Sequence, residues 1–513
     1  MGNNSVCEPG FSGPLPPEMI GSYSGTRSAT VAGAAWMRSK VRVSVVVALA
    51  ILVIAAPWAA PNAVGPGLTL LAVGLGVAAV FFGLSSPVLA VVLLLVTMFL
   101  RIPLQSLGLP VEPRMLAFVG VVGAAAVAVL RGASRVPKLG VVEAAMVIYV
   151  IWNIGSAITP HVYPIGDPRT GVADAAHTFI LIGTVIPFTL YLVARFVFDR
   201  EWTVRILLWT VIAFAGYSAA VSILQFHAPA LVWPRYILES PPDTGWIGRA
   251  SGVFNQPVVN GLIIVIGFAI VLVLTHQQRT PPWQRLILLL FAVASLYAIF
   301  LTHTRVVWLD FAIMLLLGAV LLPRSRISFV ATILGVGFVI GVNWGTFTST
   351  DRSVGGVGSP DELSDRLNMI ATSVWAVQEQ PLVGWGIGRF AHVNTYHHKQ
   401  WSTDVEWRHG YGLSSHLNEL GIAVELGLVG LVLWLAVLFL VGRRLFGAVS
   451  NLPHDGLCGR DLAVIALIAF IALIAAGLTV DLRFFDFANA LVMLLVGTAV
   501  GYADQYSVEV RGQ

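Results

Sequence analysis

Long apolar runs alternate with short polar connections along most of the chain. A transmembrane helix needs about 20 predominantly apolar residues, and about fourteen runs reach or approach that length. These candidate spans are 43–60, 67–84, 87–100, 115–130, 141–158, 178–197, 204–226, 258–275, 286–301, 306–322, 327–342, 417–441, 462–478 and 484–502. The pattern predicts an all-α fold, namely a polytopic transmembrane helix bundle.

Two polar connections are much longer than the others, at 227–257 and 343–415. The second has on the order of 70 residues, too many for a simple connection in a compact domain. It contains a helix start, with Ser359 as N-cap, Pro360 at the first helical position and Glu362 at the third. Apolar residues at helical spacing follow. We therefore expect short helices in this loop, one of them lying on the membrane surface or packing over the bundle.

Arginine and lysine recur in every second connection between the predicted spans. Cytoplasmic connections carry such an excess, so both termini are expected in the cytoplasm and the two long loops outside. Residues 1–40 are interpreted as a disordered cytoplasmic tail, and 41–226 as amino-terminal transmembrane helices. Residues 227–445 form the predicted functional core, with the loop 343–415. The stretch 446–513 supplies carboxy-terminal helices and a short tail.

Composition supports a protein that uses lipid as its solvent. Of the 513 residues, 57% are hydrophobic and 11% are charged, whereas soluble domains carry about 25% charged residues. The net charge of +4 is compatible with nucleic-acid binding, but the cations lie in short loops and are better interpreted as topology signals. Cys7 and Cys458 are too few and too far apart for a disulfide framework or a zinc site.

Three residues at the outer ends of predicted spans are candidates for chemistry: Arg249, Arg305 and His416. Two guanidinium groups in a water-poor pocket repel each other unless an anion neutralises them. Phosphate or diphosphate suits them, because the planar guanidinium binds phosphate oxygens in a bidentate manner. His416 lies at the start of a predicted helix, where free N–H groups also favour an anion. Its imidazole can accept a proton from a hydroxyl group near neutral pH.

Plainer interpretations exist for each of these residues. Arg249 and Arg305 could be interfacial residues whose side chains extend toward water, and His416 could cap its helix. Asp481 and Asp486 fit simple charges at the end of a span, although Asp481 could pair with an arginine of the site.

The large loop also carries polar and aromatic candidates. Its histidines are irregularly spaced, which favours a solvated loop over a metal site: His392, His397, His398 and His409. Trp401, Trp407 and Tyr411 are suited to stacking on sugar rings, but aromatic side chains also anchor loops at the membrane interface.

Four blocks carry a family resemblance: Arg-x-x-Gly-x-Phe and a following Pro at 249–257, Thr-His-Thr-Arg at 302–305, Arg366 followed by Pro-Leu-x-Gly-x-Gly at 381–386, and His416 followed by Glu-x-Gly-x-x-Gly at 425–430. In this order they resemble the O-antigen ligase and polymerase superfamily of bacterial envelope glycosyltransferases. Three departures concern acceptor detail: Leu417 stands where the family has Asn, Thr304 stands where it has Ser, and Val258 follows Pro257 where Asn is common.

The resemblance implies a metal-independent, inverting glycosyltransferase without a cofactor. Such enzymes take a glycan from a polyprenyl diphosphate carrier and transfer it to an acceptor hydroxyl at the outer face of the bacterial inner membrane. By residue match, Arg249 and Arg305 would bind the diphosphate and His416 would activate the acceptor. Arg366 would bind phosphate or order the loop. Asp481, Trp401 and Trp407 complete the predicted set of substrate-binding residues. The expected partners are the lipid bilayer, the lipid-linked glycan donor and a glycan or lipid acceptor, and no nucleic acid is expected.

Two alternatives stay open at this point. A polymerase that extends the lipid-linked glycan itself shares the same motifs, although all four ordered blocks favour a ligase. A lipid or polysaccharide transporter, or flippase, belongs to another class. Transporters carry inverted repeats and broken helices with charges near the membrane midplane, whereas the candidate charges here lie at the ends of spans on one side.

Overall fold

The computed structural model describes residues 86–105, 112–134, 136–169, 176–239, 248–277, 280–349 and 360–512. Throughout these ranges the regular structure is helical and no β-strand occurs, which confirms the predicted fold class. The predicted tail 1–40 and the predicted spans 43–60 and 67–84 lie outside the described residues.

We number the α-helices of the described ranges in chain order. They are α1 (Pro87–Phe99), α2 (Arg101–Gln105), α3 (Pro113–Leu130), α4 (Val141–Ile158), α5 (Ala176–Val197), α6 (Glu201–His227), α7 (Pro257–Thr275), α8 (Pro282–Leu301), α9 (Arg305–Leu321), α10 (Arg326–Val342), α11 (Trp344–Thr348), α12 (Pro360–Glu379), α13 (Phe390–Tyr396), α14 (Asn418–Asn451), α15 (Leu457–Gly477) and α16 (Asp486–Gly512).

Every predicted span from 87–100 onward coincides with one of these helices. Within the described ranges, nine helices are long and apolar enough to cross a membrane, and α1 and α10 are shorter apolar helices. The chain is therefore a multi-pass membrane protein. The helix predicted in the large loop is also confirmed, since α12 begins at Pro360. Proline suits that position because its fixed φ angle fits a first helical turn, where its missing N–H has no partner to lose.

Helix α7 lies at the centre of the bundle, and nearly all of its side chains are buried. It packs against α6, α8, α9 and α15. Small residues allow the close contacts: a Cβ atom at Gly267 would overlap the side chain of Ala215 in α6. The segment that immediately precedes α7 is consequently attached to a rigid element. That segment contains Arg249.

Helix α14 is interrupted at Gly427, where φ is 70° and ψ is −178°. The loop segment 381–390 packs into this break. The N–H groups of Trp385 and Gly386 donate to the carbonyl oxygens of Val424 and Glu425, at 2.9 and 2.8 Å. The N–H group of Leu428 donates to the carbonyl oxygen of Pro381 at 2.8 Å. The loop thus satisfies backbone groups that the broken helix leaves open.

Candidate active site

The segments that carry Arg249 and Arg305 are joined to each other directly. The N–H group of Ala250 donates to the carbonyl oxygen of Leu301 at 2.9 Å. The Nδ1 of His303 lies 2.6 Å from the carbonyl oxygen of Gly248, and it must carry the proton because a carbonyl oxygen only accepts. The spacing between the two arginines is therefore set by short-range contacts between their own segments.

Both segments contain a non-glycine residue in the left-handed region. Asn255 has φ of 49° and His303 has φ of 42°. This region is uncommon for side chains other than glycine, and such strain persists only where neighbouring contacts impose it. Asn260 of α7 also fixes the first of these segments, since its Nδ2 donates to the carbonyl oxygen of Ala250 at 3.2 Å and to the Oγ of Ser222 at 2.8 Å. The arginine-bearing turns are consequently held in defined positions.

Helix α12 brings a third arginine and a carboxylate to the same place. Glu362 forms an ion pair with Arg249, whose side chain is only 5% exposed. Arg366 lies one helical turn after Glu362 and so shares its face of α12. Burial lowers the pKa of the Arg366 guanidinium; among the nearby charges, Glu362 opposes this shift and Arg305 adds to it. Arg249, Arg305 and Arg366 thus form one cluster.

His416 lies in the bend just before α14 and is half-buried. Its pKa is lowered, first by burial and then by the positive charge of Arg366, although Asp365, Asp481 and Glu362 oppose the shift. The neutral imidazole is therefore favoured near neutral pH. The structure thus brings the four principal residues of the sequence analysis into one region: Arg249, Arg305, Arg366 and His416.

Asp481 and Asp486 are buried and ion-paired, which differs from simple charges at the end of a helix. Asp481 binds Arg483, with Nη2–Oδ2 and Nε–Oδ1 distances of 2.6 and 2.9 Å, and it is close enough to His416 to affect its pKa. Asp486 binds Arg114 at 2.5 Å and Arg101 at 3.6 Å. The ion pair of Asp481 is therefore with Arg483 and not with an arginine of the cluster.

Sequence reasoning missed the role of Arg483 and Glu425. The Oε2 of Glu425 accepts from the N–H of Gly388 at 2.9 Å and from Nη1 of Arg483 at 2.6 Å. Its Oε1 accepts from the N–H of Phe390 at 2.9 Å. We call Glu425, Arg483 and Asp481 the latch, because they join the loop before α13 to α14 and to the connection before α16. The sequence offered one signal for this role: Arg483 is an isolated arginine two residues after Asp481, in a connection that is predicted to lie outside.

Trp401 and Trp407 lie on the loop segment that packs along α12, and their exposed fractions are 51% and 49%. The ring of Trp407 lies 4.7 Å from that of Tyr411. Asp365 of α12 holds this segment by accepting from the N–H of Gly410 at 2.8 Å. Since Asp365 immediately precedes Arg366, the segment with exposed aromatic rings is attached beside the arginine cluster.

In the part of the chain that the structure describes, no group of three or more His, Cys, Asp or Glu side chains is arranged to hold a metal ion. Three of the loop histidines have structural partners instead. His397 hydrogen-bonds the Tyr163 hydroxyl at 2.7 Å, His398 hydrogen-bonds the Asn394 Oδ1 at 2.7 Å, and His409 contacts Asp365 at 3.1 Å.

The break in α14 leads to a first prediction. Gly427→Ala is expected to lower the thermal unfolding temperature and the folded yield. The backbone conformation alone costs about 1–3 kcal/mol for a non-glycine residue, and a Cβ atom would also overlap the Leu382 carbonyl. The control is Gly447→Ala in the same helix, where a Cβ atom meets nothing within 4 Å. Equal melting of both variants in detergent would show that the loop does not depend on this break.

Comparison with known families supports the motif analysis. Residues 289–435 match the family model described as O-Antigen ligase. This range includes Arg305, Arg366 and His416, and Arg249 lies before it. The fold and site thus define a multi-pass membrane protein with a polar site at one end of its helix bundle. The predicted resemblance to the O-antigen ligase superfamily is confirmed over the matched range, which indicates a glycosyltransferase-type enzyme. No curated protein matches the chain.

Proposed function

We propose that this protein is an O-antigen ligase-like glycosyltransferase that moves a glycan from a polyprenyl diphosphate carrier to an acceptor hydroxyl. The observation that carries the proposal is the convergence of Arg249, Arg305 and Arg366 with His416, whose imidazole is kept neutral. The match of residues 289–435 to O-antigen ligases supports the same conclusion.

The arginine cluster suits a diphosphate leaving group. Close positive charges repel each other strongly where water is scarce, and a bound anion removes that cost. Guanidinium groups bind phosphate oxygens through two parallel hydrogen bonds, and this interaction strengthens as the leaving group gains negative charge. In this mechanism Arg249 and Arg305 bind the diphosphate, and Arg366 adds a third positive charge from α12.

His416 acts as the general base. Its neutral imidazole takes the proton from the acceptor hydroxyl while the acceptor oxygen forms a bond to the anomeric carbon of the donor sugar. The bond from that carbon to the diphosphate oxygen breaks in the same step, and its electron pair leaves with the polyprenyl diphosphate. A single displacement inverts the configuration at the anomeric carbon. The proposal requires neither a metal ion nor a cofactor.

The proposed location is the bacterial inner membrane, with both termini in the cytoplasm and the site facing the exterior or periplasm. The distribution of arginine and lysine among the connections supports this orientation. Trp401 and Trp407 are proposed to stack on sugar rings of the glycan, since their rings are about half exposed on a segment beside the cluster. Asp481 is proposed to act on the substrate indirectly, through its effect on His416.

A polymerase reaction is the nearest alternative, because it uses the same donor and the same proton transfer. Supplying one lipid-linked repeat unit without any other acceptor separates the two. Growth of the lipid-linked chain would identify a polymerase, whereas an unchanged donor that reacts only after acceptor is added would identify a ligase.

A transporter is a weaker alternative. Broken helices are typical of transporters, and α14 is broken at Gly427. In this protein, however, the open backbone groups at the break are occupied by the loop, and Glu425 is bound to Arg483. Movement of labelled lipid across liposomes by purified protein, without product formation, would favour the transporter.

The proposal is tested by measuring polyprenyl diphosphate release from a lipid-linked oligosaccharide by the reconstituted protein with acceptor. Arg305→Ala is expected to lower release about 10²-fold or more, the usual cost of removing one group that stabilises developing charge. Arg326→Ala is the control, since this exposed arginine caps the opposite end of α9 by donating to the Ala319 carbonyl at 2.9 Å. Equal release by Arg305→Ala and the parent would exclude Arg305 from the site.

A further inference from the structure

Glu362 occupies an unusual position, because it places a carboxylate inside a cluster suited to anions. Its ion pair with Arg249 joins a carboxylate that is 36% exposed to a guanidinium that is 5% exposed. The carboxylate also lies in the first turn of α12, where the helix dipole favours negative charge. Glu362 is therefore the more solvent-accessible partner of the pair.

The other two carboxylates that act on His416 are held by groups outside the arginine cluster. Asp481 binds Arg483. Asp365 contacts His409 at 3.1 Å and accepts from the N–H of Gly410 at 2.8 Å. Among the three, Glu362 is the one whose ion pair is with a proposed diphosphate-binding arginine.

We propose that Glu362 competes with diphosphate for Arg249 and so limits how tightly the site holds its diphosphate ligands. This inference rests on the function proposed above. In the empty site the carboxylate neutralises Arg249; when donor enters, one diphosphate oxygen takes its place. After transfer, the carboxylate returns to Arg249 and assists release of the polyprenyl diphosphate.

Product release is the step that most needs such a competitor. The donor diphosphate is esterified at both ends, whereas the product ends in a free phosphate with one additional ionisable oxygen. That oxygen loses its proton near pH 6, at about the second pKa of a phosphate monoester. The product is therefore more negative than the donor, and a cluster of arginines binds it more tightly. Competition from Glu362 lowers affinity for both ligands and keeps the product from occupying the site.

The alternative is that Glu362 only stabilises the start of α12. Glutamate at the third helical position can take part in a capping box, and glutamine serves there equally well. Glu362→Gln thus keeps the capping function and removes the charge. Asp361→Asn is the matched control, because Asp361 is exposed and lies in the same helical turn.

The experiment measures direct binding of farnesyl diphosphate to the full-length protein in nanodiscs. Glu362→Gln is expected to bind the diphosphate at least about tenfold more tightly, because an internal competitor of about 1.4 kcal/mol corresponds to that factor. Asp361→Asn is expected to bind like the parent. If Glu362→Gln binds farnesyl diphosphate no more tightly than the parent and melts at the same temperature, Glu362 does not compete with diphosphate for Arg249. Glu362→Ala provides a second variant and is expected to tighten binding in the same direction.

Two arginine variants separate the role of Glu362 from the existence of the diphosphate site. Arg249→Ala and Arg305→Ala are expected to lose farnesyl diphosphate binding. If both bind it like the parent, the diphosphate site itself is absent. If both lose binding and neither Glu362 variant gains it, the diphosphate site stands and the role of Glu362 is structural.

Discussion

Replacing His416 by alanine is expected to lower kcat for transfer about 10²- to 10⁴-fold, the usual contribution of a general base. Donor binding is expected to persist, because the diphosphate is held by Arg249 and Arg305. The measurement pairs single-turnover transfer with direct binding of a polyprenyl diphosphate. His454→Ala is the control, since His454 is exposed and follows the far end of α14. Parallel loss of binding and transfer in His416→Ala would instead indicate a structural role.

The pH dependence provides a second readout of His416. Only its neutral form accepts a proton, so kcat/KM falls as pH decreases through its pKa in the free enzyme. Burial and the charge of Arg366 lower this pKa, which places the acid limb below the ordinary value of about 6.5. Arg366→Gln removes one of those causes and is expected to move the acid limb to higher pH. An acid limb that does not move would exclude His416 as the titrating base or Arg366 as its neighbour.

Much of the fold was predictable because hydropathy is a local property. The predicted span 141–158 has the same bounds as α4, and α12 begins at the predicted proline. The convergence of Arg249, Arg305 and His416 was also predictable, since all three lie at span ends on the same predicted side. The parity of the spans and the motifs are enough to place these residues together, without any side-chain geometry.

The interior of the site was not predictable from the same patterns. The apolar run 417–441 fits one continuous helix, and hydropathy gives no sign that Gly427 adopts a non-helical conformation. The partners of Glu425 lie in the loop before α13 and in the connection before α16. These contacts join residues that are distant in sequence, and they depend on how the helices pack. The same applies to Glu362, which the sequence presents only as a capping residue.

The second large expected effect is a loss of folding stability when the latch is disrupted. Arg483→Met is expected to destabilise the protein by about 3–5 kcal/mol, because it leaves two buried carboxylates without their common cation. The side chains of Glu425, Asp481 and Arg483 are 4%, 2% and 8% exposed, so water cannot replace the lost partner. Thermal and denaturant unfolding of the purified protein would measure the change. Arg205→Met is the control: its pair with Glu201 is partly exposed, and such pairs contribute about 0–1 kcal/mol.

A double variant separates the charge effect from lost packing. If the cost arises from unpaired carboxylates, adding Glu425→Gln to Arg483→Met is expected to cost less than the sum of the single changes. Additive costs would show that Arg483 acts mainly by filling space. The latch also lies against the bend that carries His416, since a Cβ atom at Gly421 would lie 2.8 Å from Nη2 of Arg483 and 3.0 Å from Ser415. Transfer is therefore expected to fall even at temperatures where Arg483→Met stays folded, because the bend that carries His416 loses a neighbouring side chain while the arginine cluster remains intact.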